Sequence, residues 1–399
     1  MEDEFKMKDV KCKMRNLECR ILHFTFCILH FAFILGCSVV VSALSAQAAA
    51  PAADAWPMFR GDPQGTGVAR GSLPEKLDLR WTFTPEHASF ESAAAIVDGV
   101  VFVGSSNGKF YAVDLASGRK KWEFATEAGF SAAPSVRGSL VFVGDRDGRF
   151  HCLEAASGKR KWYYDTGGEI DSGANFHGDT VLFGSQDCCL YCVAVDSGKL
   201  VWKYESENQI RCFPTIVEGR AFVAGCDGQL HVIDVANGKQ IGQADLESYT
   251  GCTPAILGDM VFVGTEGKVF LGVNWRLHSV VWRYENGEHG QSFRSSAAVV
   301  PEVVVVGAQD KLIHALDPKS GRKLWTFPTH GRVDSSPVIV GSRVFVGSAD
   351  GTFYALDRAT GRSLWQFTSG GKIVASAAVA GGALVIGSDS GDLYCFGAK

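Results

Sequence analysis

Seven tryptophans divide most of this chain into units of one length. Trp81, Trp122, Trp162, Trp202, Trp282, Trp325 and Trp365 recur about every 40 residues, and the one double interval has its missing member at Gly242. Each is followed, after one residue, by Phe or Tyr, as in Trp122-Glu123-Phe124. Within each unit a Val/Phe-rich run ends in Gly (Val101-Phe102-Val103-Gly104) and a turn such as Asn107-Gly108 or Asp147-Gly148 follows. A third run then ends in an acid (Tyr111-Ala112-Val113-Asp114), with a Gly four residues before the Trp. β-Branched and aromatic residues in short runs suit half-buried strands. Asn-Gly and Asp-Gly suit two-residue hairpins, whose central positions need positive φ.

Four short strands at this period predict a propeller blade. Strand openings fall near residues 91, 131, 171, 211, 251, 294, 334 and 374, which makes eight. The last unit has three strands, and the strand at Trp81 has no companions before it. Joining them completes the eighth blade and removes two exposed sheet edges. The expected fold is all-β: a single eight-bladed propeller of four-stranded blades over residues 81–399.

Composition narrows the function. The chain is 46% hydrophobic and 21% charged, as globular proteins are, and its net charge of −4 offers no basic field, so no nucleic-acid partner is expected. Residues 1–48 begin with mixed charges, continue as an apolar run from Ile21 to about Leu44, and reach small residues at Ala46-Gln47-Ala48. That is the order of a signal peptide. The run is also long enough for an uncleaved membrane anchor, and Ile34-Leu35-Gly36-Cys37 would suit lipidation of Cys37. All three alternatives export the rest of the chain to the periplasm or beyond, with membrane association only through the N-terminal segment. Residues 49–80, rich in Ala, Gly and Pro, form a leader expected to run over the ring.

The pattern Ala-x-Asp-x-x-x-Gly-x-x-x-Trp stands at Ala112 to Trp122, Ala315 to Trp325 and Ala355 to Trp365, and Trp56-Pro57-Met58-Phe59-Arg60-Gly61 precedes the first unit. On these residues the chain resembles the PQQ-type, quinoprotein-like β-propeller repeat family. The resemblance implies that the seven Trp dock between neighbouring blades. Larger members are periplasmic dehydrogenases that hold pyrroloquinoline quinone (PQQ) and calcium in the central funnel. Others, of about this size and blade number, are envelope scaffolds without a cofactor.

A dehydrogenase needs several oxygen ligands converging on calcium and a carboxylate base beside the quinone. In the family these sit in long loops between blades, and here the blades repeat at almost minimal spacing. Neither ligands nor base can be assigned by motif. Cys189-Leu190-Tyr191-Cys192 has zinc-like spacing, but Cys192 takes a packed small-residue position. The adjacent Cys188-Cys189 resembles the vicinal disulfide that packs on PQQ in the family, yet it falls in a hairpin turn and its position does not match. Cys212 and Cys252 share one repeat position in adjacent blades, where an oxidising compartment would permit a disulfide.

One column of the repeat carries charge. The residues opening the inner strands are Glu91, Ser131, Asp171, Arg211, Gly251, Arg294, Asp334 and Val374. Glu91, Asp171, Arg211, Arg294 and Asp334 are a candidate ligand or peptide site at the funnel mouth, with the two Arg suited to an anionic group. The alternative is local: Asp and Ser hydrogen-bond nearby backbone and the Arg pair with neighbouring acids. Blades four and five are the least regular, and Trp275 there is a candidate partner surface. The sequence therefore points to a monomeric, non-catalytic scaffold in the cell envelope that binds a protein or ligand, with no cofactor. The alternative is a PQQ- and calcium-dependent alcohol or sugar dehydrogenase. A third reading, a carbohydrate- or polymer-binding module, rests on the funnel charges alone.

Overall fold

A computed structural model describes residues 54–287 and 290–399. The signal, anchor and lipidation alternatives for residues 1–48 lie outside these residues. Among the described residues there is no helix; 32 strands form eight antiparallel four-stranded sheets. Blade one sets the pattern: Ala95–Val97, Val100–Gly104, Lys109–Asp114 and Lys120–Ala125, paired in chain order. Its two middle strands are almost wholly buried, while the outermost alternates between exposed and half-buried. The turn at Asn107-Gly108 requires glycine, because φ is +82° and a Cβ would stand 2.5 Å from the Thr126 carbonyl oxygen.

The ring closes as expected. Asp78–Phe83 pairs antiparallel with Leu393–Gly397, placing Trp81 opposite Cys395 and Phe83 opposite Leu393. This strand begins at Asp78, three residues ahead of the expected start at 81.

Six of the seven Trp share one contact. Trp81, Trp122, Trp162, Trp202, Trp282 and Trp325 donate their indole N–H to a carbonyl of the next blade, on Leu115, Ala155, Val195, Val235, Pro318 and Arg358 respectively. Each indole lies over the positive-φ glycine of that blade's turn. At Gly198 an added Cβ would stand 2.6 Å from Trp162. Trp365 instead packs edge-on against Phe396, in the third strand of blade eight.

The seam between blades four and five corrects one expectation. Trp275 is not an exposed anchor, since only 3% of it is accessible. Gly242 leaves the seam without its docking Trp, and blade five fills the gap from the other side. The His278 ring stands over Gly242, in the space a Cβ would need. Trp275 packs against Phe222 of blade four and donates its indole N–H to the Gly258 carbonyl at 3.1 Å. Arg276 stacks on Trp275 at 4.1 Å and bridges Asp259 to Glu218 of blade four.

The leader crosses one face of the ring and touches every blade. Trp56 pairs with Ile96 of blade one. The carbonyls of Pro57, Pro63, Gln64, Thr66 and Gly67 accept the N–H of Val136, Ile216, Ile256, Val299 and Ile339, in blades two, four, five, six and seven. Asn175 of blade three also donates to Pro63, and Gly381 of blade eight donates to the Asp54 carboxylate. Backbone groups that would line an open channel are thereby satisfied.

Candidate functional site

All eight residues of the charged column line one cavity of about 210 Å³ on the ring axis, and Phe59 of the leader stands in its floor. Because each blade enters the axis at the same repeat position, spacing in the chain becomes adjacency in space.

The charges at this mouth are largely paired. Arg211 donates to the Asp171 carboxylate through Nε at 3.1 Å and Nη2 at 2.9 Å. Ser131 and Gln186 donate to the same carboxylate at 2.7 and 2.8 Å. Burial pushes the Asp171 carboxyl up, but the Ser131 hydrogen bond and the Arg211 guanidinium outweigh it and hold the group below its ordinary value. Glu169 goes the other way: burial and the Asp171 charge raise it, against a weaker pull from Arg146. Arg294 donates to Glu266 at 2.7 Å, a bond that holds the guanidinium above its ordinary value. Asp334 accepts from Arg332 at 2.7 Å and from Gln309. Glu91 accepts only from Ser89, at 3.0 Å, and is exposed. Arg211 and Arg294 are thus not free cations waiting for an anion, because acids of the wall already hold them.

Below the mouth lies an arc the column argument missed. Phe213 N–H donates to Thr253 Oγ1, Thr253 N–H to Ser296 Oγ, Ser296 N–H to Ser336 Oγ, and Ser336 N–H to Ser376 Oγ, all at 3.0–3.1 Å. These bonds stitch blades four to eight together. Their signal in the sequence is a hydroxyl residue two positions after the mouth residue in four consecutive blades.

The cysteines are structural. Cys188, Cys189, Cys212 and Cys252 are all free thiols. Cys188 occupies the turn glycine's position at φ +71°. Cys212 accepts from the Ala224 N–H, whereas Cys252 turns to the Phe293 carbonyl, so the two thiols serve different partners. Burial pushes both up to about 12, which keeps them protonated and unreactive.

Among the described residues no three His, Cys, Asp or Glu converge to hold a metal ion. The cavity is smaller than the roughly 300–1,000 Å³ of most small-molecule pockets.

Eight four-stranded blades locked by indoles over glycines define a PQQ-like β-propeller. More narrowly, the chain belongs to the family whose model is described as outer membrane protein assembly factor BamB, which matches residues 78–212, 190–325 and 293–399. No curated protein matches the sequence. Among solved structures, BamB from Moraxella catarrhalis is 18% identical with a TM-score of 0.66, covering 81% of this chain and 98% of that one. Quinohemoprotein alcohol dehydrogenase from Comamonas testosteroni is 16% identical with a TM-score of 0.73, covering 87% and 81%. The computationally designed Ika8 protein is 16% identical with a TM-score of 0.69, covering 79% and 98%. An outer-membrane assembly factor, an enzyme and a design share this architecture, so these likenesses speak to fold and not to function.

Proposed function

We propose that this protein is a non-catalytic propeller of the cell envelope that binds a protein partner. The observation that carries the reading is the funnel itself: a small cavity, floored by the leader, whose charges are mostly paired with one another. Chemistry on a bound quinone would need a wider pocket and carboxylates free to bind calcium or take a proton. The family description adds a setting, the assembly of outer-membrane proteins, in which a partner is to be sought. No helix among the described residues is long and apolar enough to cross a membrane, so attachment to an envelope membrane would fall to residues 1–48.

Calorimetric titration of the folded protein with PQQ and calcium, with dye reduction by alcohols and sugars in the same samples, tests the reading. No heat of binding and no reduction are expected. Micromolar binding with turnover would establish the dehydrogenase alternative.

A further inference from the structure

The funnel floor carries unused hydrogen-bond donors close to a buried cation. Thr253, Ser296, Ser336 and Ser376 line the cavity and are each more than nine-tenths buried. Each oxygen accepts a backbone N–H from the preceding blade. Among the described residues none of the four passes its own proton to another protein group, so the arc offers four O–H donors. Beside this arc, and not itself bordering the cavity, the guanidinium of Arg60 is fully buried. Its Nη2 donates to the carbonyls of Ala297 and Pro337, the residues that follow Ser296 and Ser336. Its Nε and Nη1 have no partner. Burial lowers Arg60 to about 9, which leaves it charged at neutral pH. The Asp62 carboxylate is engaged by the N–H of Gln64 and Thr66 and by the Thr66 hydroxyl.

Even with Asp62 nearby, a buried cation with two unbonded nitrogens is costly, and donors without acceptors add to that cost. We propose that the funnel floor is a binding site for a small inorganic anion of halide or phosphate size, held by the hydroxyls of Thr253, Ser296, Ser336 and Ser376 and by the field of Arg60. The anion receives the hydroxyl protons and lies below the paired charges of the mouth, within the field of the buried guanidinium. The site differs from a mouth site on Arg211 and Arg294, which acids already hold.

Bromide is the probe. Crystals grown without halide and soaked in sodium bromide are expected to show an anomalous peak in the funnel within hydrogen-bond reach of at least two of the four hydroxyls. Thermal unfolding in sodium bromide, against sodium isethionate at equal ionic strength, is expected to show a saturable rise in Tm. In Arg60→Met the apparent bromide affinity falls roughly tenfold or more, a difference of about 1.4 kcal/mol or greater. If that variant does not fold, the wild-type peak and the saturable Tm still decide. Ordered water alone in the funnel, or a Tm that follows ionic strength whichever anion supplies it, overturns the proposal. A bromide peak without a saturable Tm also counts against it.

Discussion

The seam between blades two and three and the seam between blades four and five solve one packing problem from opposite sides. In the first, Trp162 reaches forward, lies over Gly198 and donates to the Val195 carbonyl. In the second, Gly242 stands where that Trp belongs, and Trp275 and His278 reach back from blade five. The large ring is moved rather than lost. What the fold requires is a filled, hydrogen-bonded wedge between blades, and the element that supplies it is exchangeable. This follows from close packing: an empty wedge forfeits contacts, whichever chain segment was to make them.

The largest effect expected on this comparison comes from truncating both wedges. Trp275→Ala is expected to cost about 3–5 kcal/mol in urea unfolding, since it leaves a buried cavity, and Trp162→Ala, at a half-buried position, somewhat less. An exposed aromatic would cost within about 0.5 kcal/mol. A Trp275→Ala value that small would break the equivalence of the two seams.

A double-mutant cycle sharpens it. Gly242→Trp alone drives a second ring into His278 and is expected to destabilise by roughly 1–3 kcal/mol. Adding His278→Gly clears the space and recreates the forward-facing arrangement, so a favourable coupling of roughly 1–3 kcal/mol is expected between the two substitutions. Simple additivity would show that the His278 ring does not fill the missing Trp's place.

The smallest effect concerns the walls beside the seams. Blade two buries a pair, His151 Nε2 to Asp145 Oδ2 at 2.9 Å, where blade five has Leu271 in place of the His. Burial pushes the Asp145 carboxyl up, but His151 and the backbone N–H groups of Arg149 and Asp147 together outweigh it and the group sits below its ordinary value. A depressed carboxyl adds stability above its unfolded value of about 3.9, and that stability is lost as pH falls through the folded value. Asp145→Asn is therefore expected to cost about 1–3 kcal/mol at neutral pH and progressively less below about pH 4, read from urea midpoints across pH. A cost independent of pH would remove the charge from the account.

The ring was legible because every blade meets the same neighbour and so repeats the same residues. The Trp spacing, the Asn-Gly and Asp-Gly turns and the short final unit yield eight blades and their closure. The mouth column was legible for the same reason, as one residue per period. Its charge state was not, because Arg211 finds its acid a full repeat away, at Asp171 of the preceding blade. Trp275 was misplaced because its burial depends on what Gly242 lacks in another blade. The path of the leader was illegible because its carbonyls, not its side chains, make most of its contacts with the blades, and carbonyls leave no mark in a sequence.

That leader also sets an order of events. Its acceptors and donors are spread over all eight blades, and the strand that follows it pairs with Leu393–Gly397. The segments made first must wait for those made last. Such long-range pairing makes folding slow and exposes incomplete intermediates to aggregation. A partly synthesised chain can stack several blades, but it cannot draw the circle tight. Closure of the ring therefore waits for the C-terminal blade.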